Sequence, residues 1–227
     1  RTEGDRRDRA RRRQRSWRHG HSQMLTSTRL NVFLCGVGGQ GVLTAADLIA
    51  QAAVAHGFDC KKSEITGISQ RGGVVTSEVR FGAKVLSAVI TPGTADLLLA
   101  FELAEALRAA FYLKRGGIAL VNVLRLPPPV VSLGLYRYPD DPLAELRAAG
   151  ICVHEIDAGR IARELHDLRL VNTVMLGAAA AFLPFPAEDL ESLVIERFAV
   201  RKPALVVANR QAFEAGRIAA GKMRVGG

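Results

Sequence analysis

The sequence is poor in the features that build a metal site or a disulfide framework. It contains three cysteines in 227 residues, and Cys35, Cys60 and Cys152 lie far apart without a C-x-x-C pair. This spacing predicts no metal site and no iron–sulfur cluster in this chain, and it favours a reducing compartment, the cytoplasm. No apolar run approaches the ~20 residues that span a bilayer, so we expect no membrane partner.

Positive charge is plentiful but unevenly distributed. The formal net charge is +9, and residues 1–23 alone hold nine arginines against three acids. Because the chain opens on Arg1 and Met24 lies just before the first predicted strand, we predict a domain at 24–227 and a disordered, non-native tail at 1–23. The alternative is an arginine-rich arm that folds on RNA or DNA, for which Trp17 is the available stacking residue. We expect no nucleic-acid partner.

Strand-like and helix-like segments alternate along the rest of the chain. Apolar and alternating runs predict strands at 30–35, 58–64, 74–81, 84–90, 96–100, 118–123 and 151–156. Helical spacing predicts helices at 42–56, 103–113, 142–149, 158–165, 170–182, 186–198 and 203–216. We therefore predict an α/β fold, a Rossmann-like and mostly parallel sheet with an inserted antiparallel hairpin (74–81 with 84–90) and a helical C-terminal end. The proline-dense stretch 126–139 is predicted to be irregular.

A glycine-rich turn joins the first predicted strand to the first helix. It matches G-x-G-x-x-G and contains Gly36, Gly38, Gly39, Gln40 and Gly41. Such a turn exposes backbone N–H groups at a helix start, which favours an anionic ligand. A dinucleotide site also needs an acid at the end of the second strand, and Glu64 is the residue nearest to that position. Close packing of the strand and the helix explains the glycines equally well.

A second glycine motif follows the second predicted strand, about thirty residues later. It runs through Gly67, Ser69, Gln70, Arg71, Gly72 and Gly73. Because ligands bind at the carboxyl ends of strands in open α/β sheets, we expect this motif beside the first one. Arg71 is a permanently charged, planar donor suited to an anion, although a solvated arginine on a mobile turn is the alternative. Glu102 ends another strand at this edge, where it either helps to bind a ligand or starts a surface helix.

These motifs carry a resemblance to a known family. Residues 36–45 and 62–73 resemble the gamma-type domain of 2-oxoacid:ferredoxin oxidoreductases, and the match continues at 79–82, 95–102 and 172–177. The resemblance covers about residues 30–216. Within the family, Ser-Gln-Arg-Gly-Gly at 69–73 is most similar to the beta (small) subunit of the indolepyruvate type. The arginine-rich tail and the proline-dense stretch depart from the family pattern.

The resemblance implies a function shared with a partner chain. The family oxidises and decarboxylates a 2-oxoacid, here of the indolepyruvate or arylpyruvate kind, with coenzyme A, yielding acyl-CoA, CO2 and reduced ferredoxin. It assigns thiamine diphosphate and [4Fe-4S] clusters to a large partner subunit, so this chain holds no cofactor itself and is inactive alone. The ligand-facing residues are then Gly36, Gly38, Gly39, Gln40, Gly41, Glu64, Ser69, Gln70, Arg71, Gly72 and Gly73, with Arg71 as the candidate catalytic residue. The rival hypothesis is a stand-alone NAD(P)-dependent reductase, which rests on the first motif alone.

Overall fold

The computed structural model describes residues 29–66, 73–127, 131, 137–199 and 205–224. Within these ranges six strands form one sheet, and helices cover both of its faces. The strands are β1 (Leu30–Val37), β2 (Asp59–Thr66), β3 (Val74–Gly82), β4 (Ala95–Ala100), β5 (Leu113–Asn122) and β6 (Cys152–Ile156). The helices are α1 (Val42–Ala55), α2 (Leu103–Ala109), α3 (Pro142–Ala148), α4 (Ala158–Glu164), α5 (Val171–Ala180), α6 (Ala187–Ala199) and α7 (Val206–Arg224). Short 3-10 turns occupy Ala110–Tyr112 and Leu168–Leu170.

The sheet is mostly parallel, as the sequence predicts. Its strand order is β2-β3-β1-β4-β5-β6, and the ladders β1–β4, β4–β5 and β5–β6 are parallel. Only β3 runs against its neighbours, because it pairs antiparallel with both β1 and β2. The carboxyl ends of β1, β2, β4, β5 and β6 therefore all point to one edge of the sheet, which we call the carboxyl edge.

The antiparallel hairpin exists, but its two strands differ from the predicted pair. β3 pairs with β2, while residues 84–90 are irregular. The backbone groups of this segment bind side chains instead of a neighbouring strand: Arg80 donates to the carbonyls of Ser87 and Val89, and Glu78 accepts from the amide of Ile90. Because side chains of β3 satisfy this backbone, the mostly apolar segment 84–90 does not need to pair as a strand.

The two faces of the sheet carry separate hydrophobic layers. On one face Leu34 and Leu99 pack with α1 and with the helical C-terminal end of the chain. On the other face Phe33 and Leu98 pack with α2 and α3. The helix α5 is almost wholly buried against α7, as its apolar sequence predicts. The two helices can approach closely because Gly177 and Gly216 have no side chain. An added Cβ at either position would collide with the backbone of the opposite helix.

Among the helices of the described residues, none is both long enough and apolar enough to cross a bilayer. The predicted tail, residues 1–23, lies outside those ranges, so its assignment and the domain boundary stay predictions. The proline-dense stretch 126–139 is described only in part: residues 126, 127 and 137–139 have no regular secondary structure, as predicted, whereas residue 131 is helical.

Candidate functional site

The two glycine motifs meet at the carboxyl edge. β1 ends at Val37, and the amide of Gly38 donates to the carbonyl of Gly73 at 2.8 Å. The turn that follows leads directly into α1. The end of the second motif therefore lies against the first, as predicted. The other predicted residues of the second motif, Gly67, Ser69, Gln70, Arg71 and Gly72, lie outside the described residues.

The glycines of the first motif serve different purposes. A Cβ on Gly36 would lie 2.5 Å from Oε1 of Gln40 and 3.0 Å from Cβ of Phe101, so close packing requires glycine there. Gly41 has a φ of +80°, and a Cβ on it would lie 2.7 Å from Nδ2 of Asn172. Gly39 also has a positive φ, of +100°, but a Cβ there would meet nothing within 4 Å. Its open side is the part of the motif that a ligand can approach.

Gln40 is bound to the protein on both sides of its amide. Its Oε1 accepts from the amide of Val37 at 2.7 Å, and its Nε2 donates to the carbonyl of Phe101 at 3.2 Å. Nδ2 of the buried Asn122 donates to the same carbonyl at 3.1 Å, while its Oδ1 accepts from the amide of Ala158 at 3.2 Å. These amides connect the ends of β1, β4 and β5 to the start of α4, so they fix the floor of the site.

Asn172 is a site residue that the sequence analysis did not assign. From α5 its Nδ2 donates to the carbonyls of Gly41, at 2.8 Å, and Gln40, at 3.2 Å. Its buried Oδ1 has no hydrogen-bond partner in the described part of the chain. An unpaired buried amide oxygen is costly unless something donates to it. This atom is therefore available to a ligand, and its place in 172–177, one of the matched segments, was the available signal.

A cavity of about 650 Å³ opens between the glycine turn and the C-terminal helices. Its size is typical of a site for a small molecule or part of a large cofactor. Backbone and amide groups line one side, and three arginines from α4, α6 and the turn before α5 line the other. The lining residues are Gly39, Gln40, Gly41, Thr44, Asn122, Leu124, Gly159, Arg163, Leu168, Arg169, Val171, Asn172 and Arg197.

The three arginines differ in how far their charge is compensated. Asp167 accepts from Nε of Arg169 at 2.8 Å and from its Nη2 at 2.7 Å, and this pairing raises the pKa of Arg169. Arg163 and Arg197 form no ion pair within the residues that the structure describes. These two guanidinium groups can bind an anion, since guanidinium matches carboxylate and phosphate oxygens. Nothing in their local sequence pattern separates them from surface arginines, so the sequence analysis missed them.

Glu64 lies away from the glycine turn. It is exposed on β2, where it is ion-paired with Lys62. Because β3 lies between β2 and β1, two strand spacings, roughly 10 Å, separate Glu64 from the strand that carries the turn. A dinucleotide site needs its ribose-binding acid on the strand adjacent and parallel to the first. The arrangement therefore gives no support to the reductase alternative.

Glu102 is a buried structural residue at the end of β4. Its Oε2 accepts from the amide of Glu105 at 3.0 Å, which caps α2, and its Oε1 accepts from the amide of Leu126 at 3.0 Å and from the hydroxyl of Tyr138. Burial, and then the hydrogen bond to Glu102, raises the pKa of Tyr138 well above its usual value. Of the two predicted roles, the helix start is confirmed, in a buried position.

The remaining candidate groups are the potential metal ligands and the three cysteines. In the described residues, no three His, Cys, Asp or Glu side chains come together as a metal site would require. The three cysteines are free, and burial, followed by the charge of Glu105, raises the pKa of the Cys35 thiol well above its usual value. Cys35 is thus a core residue, whereas Cys152 is exposed, although both cysteines lie in segments whose sequence predicts strands. The strand of Cys152, β6, is the last of the six described strands, and none of the others pairs with its outer side.

Comparison with known proteins identifies relatives over most of the chain. The family model described as pyruvate ferredoxin/flavodoxin oxidoreductase matches residues 31–219. The indolepyruvate oxidoreductase subunit IorB of Thermococcus kodakarensis is 38% identical over 198 residues, which cover 85% of this chain and 96% of that protein. The gamma subunit of a keto/oxoacid ferredoxin oxidoreductase from Geobacter sulfurreducens is similar in structure, with a TM-score of 0.61 and 25% identity, over 85% of this chain and 99% of that chain.

A larger enzyme contains the same fold. The 2-oxoglutarate:ferredoxin oxidoreductase from Magnetococcus marinus, solved with 2-oxoglutarate, coenzyme A and succinyl-CoA bound, superposes with a TM-score of 0.67 and 20% identity, covering 86% of this chain and 32% of that chain. The likeness at this identity concerns the fold. The family model and the curated relative, together with the paired glycine motifs, show that the chain belongs to the pyruvate ferredoxin/flavodoxin oxidoreductase family.

Proposed function

We propose that this chain is the small subunit of an indolepyruvate-type 2-oxoacid:ferredoxin oxidoreductase in the cytoplasm. The observation that carries the proposal is the contact between Gly38 and Gly73, which brings both family motifs to one edge beside the cavity. The similarity to a curated subunit of that type, over 96% of its length, supports the same conclusion. The substrate is an arylpyruvate, and the products are an aryl acyl-CoA, CO2 and reduced ferredoxin.

The chemistry is divided between two chains. Thiamine diphosphate and [4Fe-4S] clusters belong to the large subunit, as the resemblance implies, and when bound there they supply decarboxylation and electron transfer. This chain contributes the carboxyl edge, which covers or completes the active site of the large subunit. Electrons leave to ferredoxin through the complex.

The cavity at the carboxyl edge fits a phosphate-bearing ligand, and coenzyme A is the phosphate-bearing molecule of the reaction that the resemblance does not assign to the large subunit. Arg163 and Arg197 supply positive charge, and the start of α1 presents backbone N–H groups beside Gly39. The unpaired Oδ1 of Asn172 can accept from a hydroxyl or amide of the same ligand. These residues would bind and orient coenzyme A, and they take part in no bond-making step.

Arg71 has a separate proposed role at the same edge. It lies two residues before Gly73, whose carbonyl accepts from Gly38. We expect its guanidinium to meet an anionic group of the substrate, the cofactor or the partner chain. The Arg71→Ala variant should then lower the activity of the assembled complex far more than its stability. Arg115→Ala, an exposed arginine at the amino end of β5, is the matched control.

The deciding experiment is co-expression of this chain, starting at Met24, with its large subunit. A coloured complex that reduces a viologen dye only when both an arylpyruvate and coenzyme A are present is the expected result. Visible absorption, native mass and dye reduction are measured on the same preparation. A colourless chain that purifies alone and binds NAD(P)H would contradict the proposal and restore the reductase alternative.

A further inference from the structure

The outer edge of β2 is an open and regular pairing surface. β2 is the last strand on its side of the sheet, and its eight residues pair with β3 in an unbroken register from Asp59–Gly82 to Thr66–Val75. The strand contains no proline, glycine or bulge, so its backbone is regular along the open edge, and Lys61 and Lys62 are the residues of the kind with which edge strands restrict pairing to a partner of matching charge. Among the described residues no strand pairs with its other side.

Apolar side chains lie exposed on both faces of this edge. A groove of about 410 Å³ runs between α1 and β2, lined by Ala50, Val54, Ala55 and Cys60 together with the polar residues Asp47, Gln51 and Lys62. Val54 is 59% exposed there. On the opposite face of the strand Ile65 is 60% exposed. A strand added at this edge would cover both side chains.

The charges of β2 are complementary to a second copy of the same strand. Lys62 and Glu64 lie on the face that carries α1, where Lys62 is bonded to Glu64 and to Asp47. A two-fold axis normal to the sheet pairs only residues of the same face. With the axis at Ser63, Lys62 of each copy lies opposite Glu64 of the other. With the axis at Lys62 or at Glu64, that residue lies opposite the same residue of the second copy, so like charges face each other. Of these three centres, Ser63 is the one that places opposite charges together.

We propose that β2 is a self-association edge, at which two copies of this chain pair their β2 strands antiparallel about an axis at Ser63. The six-stranded sheet then continues into a second six-stranded sheet. Because the two β2 strands run in opposite directions, the two carboxyl edges point to opposite ends of the dimer. Each candidate site stays open to its own large subunit, so the pairing does not depend on the proposed catalytic role.

Charge reversal tests this register. The Glu64→Lys variant places like charges together twice, so we expect its dimer dissociation constant to rise at least about tenfold. The double variant Lys62→Glu with Glu64→Lys exchanges the charges and should restore the dimer. Sedimentation equilibrium of the full chain measures both, with Arg115→Glu as the control. A natural chain that stays monomeric, or a double variant as weak as the single one, would overturn the proposal.

A cross-link tests the axis itself. The carbonyl of Ser63 accepts from the side-chain hydroxyl of Ser77 on β3 at 3.0 Å. The backbone groups of Ser63 therefore face β3 and point away from the open edge. Across the axis the two Ser63 residues would then form a close, non-hydrogen-bonded pair, with Cα atoms about 4.5 Å apart, within the range for a disulfide. In a background with Cys60→Ser and Cys152→Ser, the Ser63→Cys variant should form a covalent dimer with oxidised glutathione.

The Ile65→Cys variant in the same background is the matched control, because Ile65 would face Lys61 of the second copy. Equal cross-linking of the two variants would exclude the Ser63 axis. If Glu64→Lys instead releases the large subunit while the natural chain alone is monomeric, the edge belongs to the large subunit and the self-association proposal fails.

Discussion

The two walls of the cavity differ in how their polar groups are used. On the glycine wall, Gly39 to Gly41, the amide of Gln40 is bound on both sides to the main chain, and Gly41 is held by Asn172. On the arginine wall, Arg163 and Arg197 have no ion-pair partner among the described residues, and only Arg169 is compensated. The glycine wall therefore gives the cavity its shape, and the arginine wall provides the charge that attracts a ligand. Substitutions on the first wall should change stability, and substitutions on the second should change binding.

The largest effect is expected for Gly41→Ala. A left-handed backbone costs a residue with a Cβ about 1–2 kcal/mol, and the added atom displaces the amide of Asn172 with its two hydrogen bonds. We expect a loss of about 3 kcal/mol in the free energy of unfolding, measured with urea. Gly39→Ala is the control, because it has a positive φ but open space, and its loss should be about 1 kcal/mol. Equal losses for the two variants would show that the contact with Asn172 is unimportant.

A smaller loss is expected for Gln40→Leu. The change removes both side-chain hydrogen bonds and leaves the buried amide of Val37 unpaired, while Asn122 still donates to the carbonyl of Phe101. An unsatisfied buried donor costs about 1–3 kcal/mol, so we expect a loss of about 2 kcal/mol. Gln51→Leu, on the exposed side of α1, should change the stability by less than about 0.5 kcal/mol. If Gln40→Leu changes the stability as little as Gln51→Leu does and weakens only ligand binding, Gln40 contacts the ligand and does not support the wall.

On the arginine wall the expected effect moves from stability to binding. Arg163→Ala should raise the KM for coenzyme A in the assembled complex about tenfold, which is about 1.4 kcal/mol, with little change in kcat or in unfolding. Arg160→Ala is the control on the same helix, since Arg160 is paired with Glu164 at 2.6 Å and does not line the cavity. Steady-state kinetics at several coenzyme A concentrations measure both variants. An unchanged KM for Arg163→Ala would exclude coenzyme A as the ligand of this cavity.

The sequence predicts the glycine wall better than the arginine wall for a physical reason. A turn between a strand and a helix is set by residues that are adjacent in the chain, so Gly36, Gly38 and Gly41 reveal it directly. The same local logic locates six of the seven predicted strands, although β5 begins at Leu113 and not at 118, and it locates most of the helices. Arg163 and Arg197 reach the cavity only because α4 and α6 pack around α5, and no local pattern records that contact.

The hairpin error has a similar cause. Residues 84–90 form a mostly apolar run that predicts a strand, but in the structure this segment is irregular and β3 pairs with β2 instead. Arg80 and Glu78 bind the backbone of that segment, and such binding is decided by the folded geometry. The two features that the sequence did not predict, the arginine wall and the irregular segment 84–90, both depend on contacts between elements. The two features that it did predict, the glycine turn and the individual strands and helices, are set within one element or across one turn.

The smallest expected effect also gives the sharpest comparison, because it makes the same substitution on the opposite wall. Gly159 lies in the first turn of α4, where an added Cβ would meet Nη1 of Arg163 at 3.6 Å and Oδ1 of Asp157 at 3.7 Å, both ordinary contacts. Gly159→Ala should therefore stabilise the chain by about 0.5 kcal/mol, since alanine favours the helix and lowers the entropy of the unfolded chain. Urea unfolding beside Gly41→Ala should give opposite signs for the two variants. A loss for Gly159→Ala would mean that the arginine wall is as tightly packed as the glycine wall, and the division between shape and charge would then fail.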